Sequence, residues 1–116
     1  MEITQTRRGD IVIFQIAGRL DSNSSADFEA AVFGAIESGE KKVAIDFGGL
    51  DYISSAGLRV ILKAAKDLKR RNGGLVLCSM QDYVKEVFEI SGFDTFLPIT
   101  GSVDDGILAF GKLVSP

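Results

Sequence analysis

Apolar residues follow two rhythms along this chain. Ile11-Val12-Ile13-Phe14-Gln15-Ile16-Ala17 and Val43-Ala44-Ile45-Asp46-Phe47 are short, β-branched and nearly continuous. That is the pattern of strands covered on both faces. Leu75 to Ser79 is a third such run, apolar until its end. Between them the spacing lengthens to helical intervals. Phe28, Ala31, Val32 and Ala35 make one helix face, with Glu29 and Glu37 off it. A second helix, from about Ser55 to Arg71, carries the stripe Leu58, Ile61, Leu62, Ala65 and Leu68. Val84, Val87 and Phe88 mark a third from Asp82, and Ile107, Leu108 and Phe110 a last one.

Punctuation residues set the ends. Glu2 to Arg7 reads as a polar edge strand, joined to the next through the turn Arg8-Gly9-Asp10. Gly18-Arg19-Leu20-Asp21 breaks the second strand, and Ser24 with Asp27 resembles a capping box. Gly39 closes the first helix as a C′ glycine, and Gly48-Gly49 ends the strand that Lys41-Lys42 opens. Asn72-Gly73-Gly74 ends the second helix, and Ser91-Gly92 the third. Thr95 to Ile99 is a short strand that Pro98 confines to an edge or terminus. Ser102 with Asp105 caps the last helix, which Gly106 and Gly111 weaken by about 1 kcal/mol each. The order is ββαβαβαβα, a single α/β domain over 1–116 with one mixed sheet and its helices on one face.

Composition then narrows the chemistry. With 116 residues, 46% of them apolar, the chain can bury a sizeable core. The net charge of −3 argues against nucleic acid, whose phosphates need a basic face. Met1 to Arg8 lacks the apolar run of a signal peptide, and no window nears the ~20 apolar residues of a membrane span. Cys78 sits alone in an apolar run and reads as core. These features lead to a cytoplasmic expectation. There is no histidine, which removes the commonest general base and metal ligand together. No cofactor or metal is expected.

Candidate constellations are few. Gly48-Gly49 follows a strand, but no phosphate-loop pattern surrounds it. Asp21 and Asp46, each placed near a strand end, could act as a carboxylate pair or hold Mg²⁺; caps and turns are the blander reading. Arg59, Lys63, Lys66 and Arg70 form a basic stripe of the kind that is usually solvated. Ser54-Ser55 lies where a strand's exit meets a helix's first turn, and one of the two serines is explained as the N-cap. Tyr52-Ile53 beside the other suggests a partly apolar rim read by another protein. A phosphoryl group there would add about two negative charges, which the helix dipole tolerates and a docked partner does not.

Gly18-Arg19-Leu20-Asp21, Val43-Ala44-Ile45-Asp46-Phe47 and Tyr52-Ile53-Ser54-Ser55-Ala56-Gly57-Leu58 resemble the STAS domain of bacterial anti-sigma factor antagonists. Gly73 to Cys78 and Val87 to Phe93 look like the same family's later strand and helix. The resemblance implies a four- or five-stranded sheet with helices mainly on one face. It implies phosphorylation at Ser55 by a partner that is both serine kinase and anti-sigma factor, and reset by a serine phosphatase. Unphosphorylated, such a protein binds that partner and frees sigma factor. Asp21, Tyr52, Ile53, Ser54, Ala56, Gly57, Leu58 and Arg59 then belong to the docking face, on a protein that is monomeric when free and not an enzyme.

Three positions depart from the family's pattern. Many antagonists carry an acid at the position of Ser54, a hydroxyl at that of Ala56 and a glycine at that of Arg59. Aspartate and serine cap helices about equally well, so Ser54 suits the structural role, and without the acid's charge it could also compete with Ser55 as phospho-acceptor. Arg59 adds bulk and charge one turn beyond Ser55. A competing expectation is an unphosphorylated scaffold or lipid-transport accessory built on the same domain.

Overall fold

The computed structural model describes residues 1–95 and 97–113. Glu2–Arg8 (β1) and Ile11–Leu20 (β2) form a hairpin whose register pairs Arg8 with Ile11. Gly9 takes a φ of +60° in the turn between them, a conformation glycine adopts without Cβ strain. Helix Ser25–Glu37 (α1) leads to Lys42–Ile53 (β3), and helix Ser55–Arg70 (α2) leads to Gly74–Cys78 (β4). Helix Asp82–Ile90 (α3) and a 3-10 turn at Phe93–Thr95 precede Ile99–Thr100 (β5) and helix Val103–Leu113 (α4). The five strands lie in chain order in one sheet, antiparallel between β1 and β2 and parallel from β2 to β5.

The continuous hydrophobicity of β2, β3 and β4 has a direct cause. Val12, Phe14, Ile16, Val43, Ile45, Phe47, Leu75 and Leu77 face α1, α2 and α3. The alternate residues Ile11, Ile13, Ala44, Val76 and Cys78 meet Phe110 of α4 on the other face. The helices therefore lie mainly on one face, with α4 covering part of the second. Gly106 permits that fourth contact. A Cβ there would lie 2.5 Å from Cys78 Sγ, so the glycine lets the helix sit close on the sheet. Ser102 caps it as its sequence suggests, accepting from the Asp105 amide at 3.1 Å.

The helix ends follow backbone chemistry. At the end of α1 Gly39 has a φ of +110°, and the amides of Glu40 and Gly39 donate to the carbonyls of Ala35 and Ile36. Asn72 plays the same part after α2 at φ +64°, with Gly73 donating to Leu68 and Asn72 to Lys69. Both are complete Schellman closures.

Several expectations need correction. Neither Gly18 nor Gly48-Gly49 ends a strand: β2 runs to Leu20 and β3 to Ile53. Gly49 lies opposite Ala17, where a Cβ would stand 2.9 Å from that of Ala17, so this glycine serves close pairing. Register shifts between Gln15/Ala17 and Gly18/Arg19 each insert one extra residue into β3. In α2 the buried residues are Gly57, Val60, Ile61, Ala64, Asp67 and Leu68. The apolar face is thus rotated from the expected stripe, and Leu58 and Ala65 pack only at its margin. The expected strand from Thr95 to Ile99 is displaced: Thr95 belongs to the 3-10 turn, Phe96 is outside the described residues, and pairing begins at Ile99.

Candidate functional site

The carboxyl ends of β2 and β3 and the first turn of α2 meet at one place. The Ser54 amide donates to the Leu20 carbonyl at 2.9 Å, fixing where β3 turns into the helix. Ser54 is the N-cap, in extended conformation at φ −91° and ψ 170°, and its hydroxyl accepts from the Gly57 amide at 3.2 Å. This satisfies one of the amides that a helix start leaves without an internal partner. Gly57 beneath it is buried, because a Cβ would stand 2.7 Å from Leu20 Cγ and 3.1 Å from Ile53 Cγ1. The helix start is seated directly on the strand ends.

Ser55 differs from Ser54 in every respect that matters chemically. It is the first helical residue, it is exposed, and its hydroxyl makes no hydrogen bond within the described residues. Two neighbouring hydroxyls are thereby divided between an internal structural task and free access from solvent.

The bulges of β3 decide what surrounds it. Phe47, Leu50 and Ile53 are all core residues, spaced by three along a strand instead of two. Each inserted residue resets the alternation of faces. Ile53 is consequently 7% exposed and faces the core, whereas Tyr52 is 39% exposed. The apolar rim expected from Tyr52 and Ile53 is carried by Tyr52 alone. Arg19, its partner in the β2–β3 register, places its guanidinium 4.1 Å from the Tyr52 ring centroid. Ala56 and Leu58 are half-buried, and Asp51 and Arg59 are exposed. Of the residues expected at the docking face, Ile53 and Gly57 therefore shape it from below.

Asp21 has a local duty. Its Oδ1 accepts from the amides of Asn23 and Ser24, both at 3.0 Å, and the Ser25 amide donates to its carbonyl. These bonds start the turn that becomes α1. Ser24 makes no capping bond; its hydroxyl instead donates to the Arg19 carbonyl at 2.8 Å and accepts from the Asp21 amide at 3.0 Å. The expected capping box is replaced by an Asx turn one element earlier. The Ser24 amide, with help from the Ser24 hydroxyl and the Asn23 amide, holds the Asp21 carboxyl below the usual carboxylate range.

Asp46 does not join it. Because β3 continues past Phe47, Asp46 is a mid-strand residue opposite Gln15. Five residues of β2 separate Gln15 from Asp21, which follows the strand's end, so the two positions are six steps or about 20 Å of extended chain apart. Asp46 Oδ1 accepts from the Gly48 amide at 2.9 Å. The two carboxylates thus serve separate places, Asp21 the turn into α1 and Asp46 the irregular part of β3.

Two contributors escaped the sequence. Gln81 donates from Nε2 to the Leu50 carbonyl at 3.0 Å, tying the α3 entry to the irregular part of β3. Arg19 is the other: only the register, which the bulges alter, brings it onto Tyr52. Of the basic stripe on α2, Lys63 pairs with Glu29 at 2.6 Å, and Arg70 pairs with Asp67.

Comparison with known proteins gives the same frame. The STAS domain family model matches residues 2–106. The chain is 41% identical over 110 residues to the candidate anti-sigma factor antagonist BtrV of Bordetella bronchiseptica, covering 95% of each. A candidate anti-sigma factor antagonist of Thermotoga maritima superposes with a TM-score of 0.89 at 20% identity, over 93% of both chains. The Bacillus cell fate determinant SpoIIAA in its phosphorylated form gives a TM-score of 0.74 at 19% identity, over 91% of this chain and 96% of that one.

Proposed function

The chain belongs to the STAS domain family, and from that premise we propose that it is an anti-sigma factor antagonist switched by phosphorylation of Ser55. Unphosphorylated, it docks on an anti-sigma factor that is also a serine kinase, and so frees sigma factor. The kinase transfers the γ-phosphoryl of ATP to Ser55 Oγ, breaking the β–γ P–O bond and releasing ADP and the hydroxyl proton. A serine phosphatase restores the hydroxyl. The chain itself is substrate and ligand; it performs no catalysis.

One observation carries this reading. Ser55 is exposed and its hydroxyl makes no hydrogen bond among the described residues, while its neighbour Ser54 does the capping. Modification of Ser55 therefore breaks nothing inside the fold, and the dipole of α2 favours the added negative charge. The same charge falls among Tyr52, Ala56, Leu58 and Arg59, the exposed and half-buried members of the proposed docking face, with Asp21 in the adjoining loop. A docked partner would have to desolvate it. Fold retention with loss of the interface is what a reversible switch requires.

The test is incubation with the cognate kinase and ATP, followed by mass spectrometry of wild type and Ser55→Ala. Wild type gains one phosphoryl group, on the peptide containing Ser55, and Ser55→Ala gains none. Phosphate appearing undiminished on the alanine variant refutes the assignment.

A further inference from the structure

Arg59 lies four residues beyond Ser55 on α2, one turn along the same helix face. Side chains at that spacing have their Cβ atoms about 6 Å apart and meet on the helix surface. Both residues are exposed. We infer that Arg59 is an internal receptor for the phosphoryl group on Ser55, pairing with it within the helix. This deepens the proposed function and rests on its assignment of Ser55.

Arg59 is the one charged residue of α2 within a turn of Ser55. Arg19 is stacked on Tyr52, and the Asp21 carboxylate is held by the Asn23 and Ser24 amides. Asp51 is exposed and makes no ion pair with a described residue. Further along α2, Lys63 is engaged with Glu29 and Arg70 with Asp67. Arg59 has no ion-pair partner among the described residues, and the first turn of α2 contains no acid to compete for it. A phosphoserine at the helix start offers charged oxygen acceptors to a guanidinium whose planar donors match them. The acidic residue is also N-terminal to the basic one, the orientation that the helix dipole favours.

The pair would change what a partner meets on phosphorylation. Without it, the patch gains close to two negative charges and Arg59 remains free. With it, one side chain of the docking face is withdrawn as the charge arrives, so modification removes a contact as well as adding a repulsion. Lys66 is too remote to substitute. Eleven residues of helix place it about 16 Å from Ser55, beyond the screening length of about 8–10 Å at ordinary ionic strength.

The experiment places phosphoserine at position 55 during translation, by expanded genetic code, so that it needs no kinase. The second phosphate ionisation is then followed by phosphorus NMR titration in wild type, Arg59→Gln and Lys66→Gln. The dipole acts equally in all three, so the difference isolates Arg59. The expected result is an ionisation about 0.3 unit lower in wild type and Lys66→Gln than in Arg59→Gln, narrowing in 1 M salt. Titrations of wild type and Arg59→Gln that coincide at low salt would overturn the inference. A kinase that ignores Ser55 would refute the proposed function alone, because this titration does not depend on it.

Discussion

Gly57 of α2 lies so close to Leu20 of β2 that a Cβ built on it would stand 2.7 Å from Leu20 Cγ. This contact brings the first turn of α2 down onto the strand ends, and through Ser54 it sets where Ser55 emerges. Gly57→Ala would gain about 1 kcal/mol of helix propensity but overpack a buried seam, a cost of about 1–3 kcal/mol. The expected net effect is destabilisation by about 1 kcal/mol, seen as a lower urea midpoint with unchanged slope. Leu20→Ala in the same chain should recover part of the Gly57→Ala cost in a double-mutant cycle. Strict additivity would mean that the contact does not govern the seam.

The division of labour between Ser54 and Ser55 predicts unequal stability effects. Ser54→Ala removes the cap of α2 and should cost about 1 kcal/mol, while Ser54→Asp should cost little. Ser55→Ala removes a hydroxyl that has no partner among the described residues, and should stay within about 0.5 kcal/mol of wild type. Thermal and urea unfolding of the three variants decide this; equal losses at the two serines would contradict the cap assignment.

That division was half legible in the sequence. A strand exit followed by two serines and a helical stripe locates the cap, but which hydroxyl turns inward depends on the register of β3. Two inserted residues reset that register, so Phe47, Leu50 and Ile53 share a face at intervals of three, which departs from the alternation of a strand. Gly48-Gly49 read as a strand end because a glycine that permits close pairing and one that permits a turn look alike in sequence. The exchange of capping between Ser24 and Asp21 has the same origin: both residue types cap, and only the path of the backbone chooses. The continuous runs of β2, β3 and β4 were legible because burial on both faces leaves a composition no exposed segment shares. Gln81 was not, since its partners are carbonyls more than thirty residues away in the chain.

Acid should weaken the entry to α1 through Asp21. Its folded pKa lies below the ordinary value of 3.8, so its stabilising contribution is complete above that value and is lost as pH falls through the folded one. Asp10, held down by Lys42, and Glu40, held down by Arg7, add slope of the same sign. Asp21→Asn keeps a capping acceptor without the titration. Unfolding measured below about pH 4 should therefore show a shallower pH dependence in Asp21→Asn than in wild type, and identical slopes would remove Asp21 from the acid response.

Cys78 reports on the opposite face of the sheet. It is fully buried, and burial pushes its thiol up from the ordinary value. Native protein should resist a thiol reagent at neutral pH and react fully once unfolded. Gly106→Ala, which drives a methyl group toward Cys78 Sγ, should lift α4 and raise the labelling rate at least about tenfold, because destabilising the closed packing makes the opening easier by about 1.4 kcal/mol or more. A rate equal to that of wild type would show that α4 accommodates the methyl group without moving.

In the proposed switch, one phosphoryl group on Ser55 abolishes docking while leaving the fold intact. Calorimetric titration of the partner anti-sigma factor with the unmodified chain and with the chain carrying phosphoserine at 55, paired with circular dichroism of both, tests it most directly. The expected outcome is superimposable spectra and an affinity at least about a hundredfold lower for the phosphorylated chain, the scale of leaving a charge desolvated at an interface. Equal affinities with equal spectra would contradict it.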